Sequence, residues 1–168
     1  TFTGNVASNI DGGGLSIIGN PISVTVESNI FYANRANVYG GAISINTYGA
    51  VDFVNNVVYT NTATFGSVQI TTADVANITN NTLAANSGNG GGCLWVNLIE
   101  DTAISNIYNN IAWNQTASIG GDIRIGDTAG GGDVGAVVNL YNNNFTDFFS
   151  DCADRPGCTA HVNQDNNK

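Results

Sequence analysis

The segment Asn29–Ile45 reads NIFYANRANVYGGAISI, and it combines two asparagines, a glycine pair and an alternating apolar ending. Closely similar phrases begin at Asn56 (NVVYTNTATFGSVQI), Asn81 (NTLAANSGNGGGCLWV) and Asn110 (NIAWNQTASIGGDIRI). Incomplete copies open the chain and begin again at Asn143. The second asparagines of the first five copies lie 25–29 residues apart, and self-similarity at such a period is typical of a repeat architecture.

Within each copy the apolar residues alternate with polar ones, whereas a helix would repeat them about every 3.6 residues. One matched position carries an apolar residue in five successive copies: Val26, Phe53, Ile78, Ile107 and Leu140. Ile43 and Ile45 alternate in the same manner after the glycine pair of the second copy. Each copy therefore predicts short β-strands with one apolar face, joined by turns that asparagine and glycine favour.

A repeat of this length cannot bury its apolar face alone, but coils stacked on one another share a continuous core. We therefore predict an all-β fold, a parallel β-helix solenoid of about five to six coils over residues 1–148. The phrase NN…N…GG-x-I-x-I resembles that of right-handed parallel β-helix proteins in the pectate-lyase-like superfamily. The resemblance covers roughly residues 2–148 and implies a right-handed coil.

Residues 149–168 are predicted to form a C-terminal capping loop or tail. Cys152 and Cys158 bracket the turn-forming sequence ADRPG, an arrangement that permits a disulfide closing a small loop. Such a disulfide would indicate an oxidising compartment. Three reduced thiols are the alternative.

The repeated asparagines are expected to turn the chain and to join the coils. Asparagine tolerates the left-handed backbone of a tight turn, and its amide both donates and accepts hydrogen bonds. We predict one ladder of stacked side chains from Asn29, Asn56, Asn81, Asn110 and Asn143, and a second from Asn5, Asn34, Asn61, Asn86 and Asn114. The interval from Asn110 to Asn114 is one residue shorter than in the other copies, which predicts a bulge or a shifted turn.

Catalytic residues are suggested only by the resemblance. It implies polysaccharide lyases with an acidic calcium site and a base, or hydrolases with two or three close carboxylates. Asp52 lies at an outward strand position, where the other copies hold Thr25, Asn77, Asn106 and Asn139. This face carries no acidic cluster, which favours a chain without catalytic activity. A polysaccharide-binding or polysaccharide-degrading domain is the alternative.

A ligand-binding face is predicted from outward aromatic and charged side chains. Trp95, Tyr108 and Tyr141 are expected to face outward, where aromatic rings can bind sugar rings or a partner protein. Asp122 and Arg124 are expected to face outward together, either as part of this face or as a solvated ion pair.

Two further hypotheses concern single residues. Asp127 and Asp133 supply carboxylate oxygens in GDTAGGGD, the ligand type that calcium prefers, and no other cofactor is predicted. Cys93 is expected to share the outward face of its strand with Trp95.

The charge of the chain excludes some partners. Four Lys and Arg stand against thirteen Asp and Glu, giving a net charge of −9. Nucleic acids and anionic membrane surfaces both require basic protein surfaces, so neither is a predicted partner. No apolar run approaches the ~18 residues of a membrane span.

These patterns favour an extracellular or cell-surface structural module, such as a fibre subunit or an adhesin segment. The sequence begins within a copy of the repeat at Thr1, so the first coil is expected to present uncovered strand edges. Self-association end to end, or stacking on neighbouring β-helix coils, is therefore predicted. A glycan is the other predicted partner.

Overall fold

The computed structural model describes residues 1–9, 11–90, 93–118, 121–127, 136–150 and 161–168. In these ranges the regular structure consists of β-strands that pair in parallel. The strands stack as a β-solenoid of about 5 turns, which confirms the predicted fold class. Among the described residues, no helix is long and apolar enough to span a membrane.

A full coil passes through four sheets, which we name A to D. Sheet D contains β4 (Ser23–Glu27), β8 (Ala50–Val54), β12 (Val75–Thr79), β16 (Ile104–Tyr108), β19 (Val137–Tyr141) and β21 (His161–Asp165). Sheet A contains β1 (Phe2–Thr3), β5 (Ile30–Tyr32), β9 (Val57–Tyr59), β13 (Thr82–Ala84) and β17 (Ile111–Trp113). Sheet B contains β2 (Val6–Ala7), β6 (Arg35–Ala36), β10 (Thr62–Ala63) and β14 (Ser87–Gly88). Sheet C contains β3 (Leu15–Ile18), β7 (Ile43–Asn46), β11 (Val68–Thr72), β15 (Leu94–Leu98), β18 (Ile123–Asp127) and β20 (Phe148–Ser150).

The core lies inside the coil, where residues of successive coils stack at steps of ~4.8 Å. The register of sheet D aligns the apolar position found in the sequence: Val26, Phe53, Ile78, Ile107 and Leu140. All of these side chains are buried. Because burying a side chain of this size contributes roughly 1.5–3 kcal/mol, the stack is a main source of stability.

Left-handed backbone conformations mark two corners of the coil. Between sheets D and A, six residues have φ between 55° and 58°: Ser28, Asn55, Asn80, Asn109, Asn142 and Asn166. Between sheets A and B, four residues have φ between 50° and 57°: Ala33, Thr60, Ala85 and Asn114. Asparagine enters this conformation more easily than most residues. In the paired asparagines of the sequence, the first residue therefore turns the chain and the second belongs to the ladder.

The backbone geometry requires glycine at both Gly40 and Gly41, for a different reason at each. Gly40 has a φ of 63°, a left-handed value that glycine adopts without strain. A Cβ atom on Gly41 would lie 2.5 Å from the carbonyl oxygen of Thr62 in the next coil. The second glycine therefore lets two backbones approach more closely than any side chain would allow.

The sheets continue at and beyond residue 148. Strand β20 pairs with β18 in sheet C, and β21 pairs with β19 in sheet D. Cys152 and Cys158 lie outside the described residues, so their disulfide stays a prediction.

Ser105 is a polar residue that is buried in the core. It lies in sheet D between Ala76 and Val138 of the adjacent coils, and its side chain is fully buried. Its Oγ atom has no hydrogen-bond partner among the described residues. A buried hydroxyl without a partner is destabilising because it has lost its hydrogen bonds to water.

Ser105→Ala is accordingly expected to raise the free energy of unfolding by about 1 kcal/mol. Urea denaturation monitored by circular dichroism measures the change. Ser16→Ala, on the exposed outer row of β3, is the control and should change stability little. A loss of stability in Ser105→Ala would show that the hydroxyl has a partner in solution.

Candidate functional site

The first asparagine ladder joins six coils at the corner between sheets D and A. The backbone N–H and the side-chain amide of Asn56 donate to Oδ1 of Asn81 at 2.8 and 3.1 Å. The Asn56 amide also donates to the carbonyl oxygen of Val26 at 2.9 Å. The bond from a backbone N–H to the side-chain oxygen of the next coil recurs at the predicted members, which confirms an asparagine ladder, and the ladder extends to Asn167, which accepts from Asn143. The side-chain amide of Asn29 donates instead to the carbonyl oxygen of Glu27 at 2.8 Å.

The second ladder contains Asn5, Asn34, Asn61 and Asn86, but its next member is Gln115. Gln115 Oε1 accepts from the Asn86 backbone at 2.9 Å, and its amide donates to the carbonyl oxygen of Leu83 at 2.6 Å. The prediction of Asn114 as a ladder member was therefore wrong. Asn114 takes the left-handed corner position, and Gln115 keeps the five-residue spacing from Asn110.

A third ladder, which the sequence analysis missed, runs along the outer face of sheet D. Asn77, Asn106, Asn139 and Asn163 each donate a side-chain N–H to the side chain of the preceding coil at 2.8–2.9 Å, ending at the Asp52 carboxylate. The sequence signal for this ladder was an asparagine that recurs at one matched position in successive copies. These side chains bond to one another. The outward position of Asp52 is therefore part of the structural scaffold.

A concave surface lies on the outer face of sheet C. We call it the sheet C groove; its volume is about 410 Å³ and its lining includes Ser44, Gln69, Thr71, Trp95, Tyr39 and Asn97. Along its floor Ser44 Oγ donates to Gln69 Oε1 at 2.6 Å, and Gln69 Nε2 donates to Thr71 Oγ1. Ser44, Gln69 and Thr71 are 2–8% exposed, so the floor is a row of nearly buried hydroxyl and amide groups that bond to one another.

An aromatic cluster forms one wall of the sheet C groove. The ring of Trp95 lies 5.4 Å from that of Tyr39 and 5.9 Å from that of Phe65, both of which belong to loops before sheet C. Gly90 makes room for this cluster, since a Cβ there would lie 2.4 Å from the Phe65 ring. The loop aromatics were not predicted, although each stands directly before a glycine in the repeat.

Arg124 covers the far side of Trp95. Its guanidinium carbon lies 4.8 Å from the Trp95 ring centroid, and its Nη1 donates to the carbonyl oxygen of Gly90 at 2.6 Å. The cation–π contact stabilises the orientation of the indole ring. The structure therefore brings Trp95 and Arg124 together, as part of one wall.

The other predicted ligand residues lie elsewhere. Tyr108 and Tyr141 stack at 5.6 Å on the outer face of sheet D. Asp122 was predicted to face outward, and this was wrong, because its side chain is 3% exposed and accepts from the backbone N–H groups of Thr146 and Asp147.

Cys93 corrects a second prediction of an outward face. It lies directly before β15, its side chain is 3% exposed and it belongs to the core. Asn86 Nδ2 donates to its Sγ at 3.3 Å. Burial raises the pKa of the Cys93 thiol far above its usual value, and the nearby Asp122 adds to this effect. The thiol therefore stays protonated and is a poor nucleophile.

The calcium hypothesis is not tested. Asp133 and the side chain of Asp127 lie outside what the structure describes. Within the described ranges, no group of three or more His, Cys, Asp and Glu side chains is arranged to hold a metal ion.

Comparisons with known proteins were made at three levels. No protein-family model, no curated protein and no solved structure matches the chain. The site must therefore be interpreted from its own geometry.

Proposed function

We propose that the chain is a non-catalytic structural module of the cell surface or extracellular space, and that its sheet C groove binds a neutral glycan. The observation that carries this proposal is the aromatic wall of Tyr39 and Trp95 beside the polar floor of Ser44, Gln69 and Thr71.

The two surfaces of the groove match the two surfaces of a sugar. A pyranose ring presents C–H groups on its faces and hydroxyl groups around its rim. Aromatic side chains bind the faces, while hydroxyls and amides can donate to and accept from the rim. A volume of about 410 Å³ lies within the range of small-ligand sites, roughly 300–1,000 Å³.

The charge distribution favours a neutral glycan over an acidic one. The net charge of −9 repels polyanions at long range. Asp11 lies at the rim of the groove, where its carboxylate accepts from the Tyr39 backbone N–H at 3.1 Å. The Arg124 side chain, which contacts the wall, is directed at Trp95 and Gly90. An acidic substrate of the kind associated with pectate-lyase-like proteins would meet a carboxylate here.

The solenoid supports a display role because its outer faces are held rigidly. Three ladders and four sheets connect successive coils, so a ligand on an outer face meets a surface that is already ordered. Preorganisation of this kind lowers the entropy that binding must overcome. The same proposal includes membership in the pectate-lyase-like superfamily, a role in a fibre or an adhesin, and end-to-end association.

A fluorescence titration tests the groove. The chain contains two tryptophans, so a Trp113→Phe background leaves Trp95 as the sole reporter. Neutral oligosaccharides of glucose, N-acetylglucosamine, galactose and mannose are titrated, with polygalacturonate as the acidic comparison. We expect a saturable change with at least one neutral glycan, and Tyr39→Ala should weaken that binding roughly tenfold by removing a stacking partner.

Tyr141→Ala is the matched control, because it removes an aromatic ring from sheet D, and it should leave the affinity unchanged. The absence of any saturable change across the panel would overturn the proposed groove. Release of new reducing ends or unsaturated products during the titration would instead support the polysaccharide-degrading alternative.

A further inference from the structure

The outer face of sheet A carries an exposed apolar surface, which we call the sheet A stripe. Five of its large side chains are between 39% and 64% exposed: Ile30, Tyr32, Val57, Ile111 and Trp113. The described strands of sheet A contain no charged residue. Exposed aromatic side chains such as Tyr32 and Trp113 can stack on the rings of a ligand.

The stripe contains a row of aromatic residues with one member missing. Tyr32, Tyr59, Ala84 and Trp113 are Cα partners in successive coils. The rings of Tyr32 and Tyr59 are stacked with centroids 4.4 Å apart and planes 20° apart. The free face of Tyr59 is therefore turned toward Ala84, whose methyl group fills little of the space beside it.

In the register of sheet A, Ala84 lies between Tyr59 and Trp113 of the adjacent coils, and we infer a notch above its small side chain. The strands of Tyr59 and Trp113 are two coils apart, which corresponds to ~9.6 Å at ~4.8 Å per coil. A ring placed above Ala84 would lie about 4.8 Å from each neighbouring level, and would occupy the position that a third aromatic side chain would have in the row.

We propose that this notch is a second glycan subsite, which binds one pyranose ring between Tyr59 and Trp113. The notch would bind the same class of ligand as the sheet C groove, but it uses none of the groove's residues. An experiment can therefore disprove one site without disproving the other. Because sheets A and C are different faces of one rigid coil, the two sites would bind two glycan chains at once.

The spacing accommodates a pyranose ring. Carbon atoms attract one another best at about 3.5–4.0 Å, so a ligand thicker than a flat ring makes closer contacts with both sides of a gap of this width. A chair-shaped pyranose is thicker, because axial C–H groups stand above and below its mean plane, and it can contact both walls.

The size of the stripe argues against a protein partner. Three-residue strands, each ~10 Å long, on four coils cover a flat area of roughly 150–200 Å². A stable protein interface buries about 800 Å² on each partner. The stripe is therefore too small for a stable dimer but large enough for a short oligosaccharide.

The notch also selects the configuration of the sugar. Because an aromatic residue lies on either side, both faces of the bound ring must be apolar. Only a pyranose with all its substituents equatorial, as in β-linked glucose, presents C–H groups on both faces. An axial hydroxyl, as at C4 of galactose, would be pressed against an aromatic ring without a hydrogen-bond partner.

The test uses Trp113 as its own reporter. A Trp95→Phe background makes Trp113 the sole tryptophan, and bacterial expression keeps the neighbouring Asn114–Thr116 sequon unmodified. Cellotriose is titrated against tryptophan emission, with the β-1,4-linked galactose trisaccharide as the epimeric comparison. We expect saturable binding of cellotriose and at least roughly tenfold weaker binding of the galactose trisaccharide.

Two variants assign the binding to the notch. Ala84→Tyr should complete the aromatic row and abolish cellotriose binding while the circular dichroism spectrum is retained. Thr82→Ala, on the adjacent row of the same strand, should bind as before. Binding that survives in Ala84→Tyr, or equal affinity for the two trisaccharides, would overturn the proposal. So would concentration-dependent dimerisation, in sedimentation experiments, that Trp113→Ala abolishes, because this would assign the stripe to a second copy of the chain.

Discussion

Asn81→Ala is expected to lower the free energy of unfolding by roughly 3–5 kcal/mol. The Asn81 side chain is buried in the middle of the first ladder and makes four hydrogen bonds. Its Oδ1 accepts from the backbone and side chain of Asn56 at 2.8 and 3.1 Å. Its Nδ2 donates to Asn110 Oδ1 at 3.0 Å and to the Phe53 carbonyl oxygen at 2.8 Å.

The expected loss is large because alanine leaves its former partners buried. The backbone N–H of Asn56 points into the corner between the coils, where the Asn81 oxygen was its acceptor. An unpaired buried donor costs about 1–3 kcal/mol, and the void left by the amide removes packing contacts as well. The neighbouring coils are held in register by their own ladder contacts, so they cannot close the gap easily.

Guanidinium denaturation of the parent protein and of Asn81→Ala measures the difference between their free energies of unfolding. Asn20→Ala is the control, because Asn20 is exposed and lies outside the ladders, and it should change stability by less than about 0.5 kcal/mol. Similar midpoints for Asn81→Ala and Asn20→Ala would show that the ladder does not contribute to stability.

Gly41→Ala is expected to lower the free energy of unfolding by about 3 kcal/mol or more. The added Cβ would lie 2.5 Å from the carbonyl oxygen and 2.6 Å from the carbonyl carbon of Thr62. Both atoms belong to backbone, so no side-chain rotation can relieve the overlap. Separating the coils here would stretch the sheet hydrogen bonds on either side.

Gly121→Ala provides the matched control for Gly41→Ala. Among the described residues, a Cβ on Gly121 would contact the Asp147 side chain alone, at 3.4 Å or more, so this variant should be close to the parent in stability. Thermal unfolding followed by circular dichroism compares the two. A Gly41→Ala protein as stable as Gly121→Ala would contradict the close approach of the coils.

The solenoid and its inner ladders could be predicted from the sequence because both repeat. Apolar residues recur at one matched position, as at Val26, Phe53 and Ile78, and stacking follows because the same strands return in the same order in each copy. The same reasoning applies to Asn29 and Asn34. A repeated residue meets its own kind in the next coil, so local spacing is enough to name its contacts.

The errors arose where the coil turns. Alternation along β15 was extended back to Cys93, and along β18 back to Asp122, but each residue lies before its strand, where the backbone bends inward. Asn114 was chosen by residue type, although the spacing selects Gln115, whose longer amide still reaches the Asn86 backbone. Corner geometry is set by backbone angles that a strand period does not contain.

The sheet C groove was only partly visible in the sequence. Trp95 and Arg124 lie on adjacent strands of one sheet, so their contact follows from the repeat. Tyr39 and Phe65 belong to loops of variable sequence, and their rings reach Trp95 only through the path those loops take in space. Their shared place before a glycine of the repeat marks matched positions, but it does not reveal their contact with Trp95.

The first ladder also bears on how such a chain can evolve. Its successive members are separated by 27, 25, 29, 33 and 24 residues, yet every step forms the same kind of hydrogen bond. Insertions and deletions within a turn therefore leave the joint between coils intact. A duplication of one whole repeat would supply its own asparagines and its own apolar stack, so the gene could lengthen or shorten by a coil at a time while the protein remains foldable.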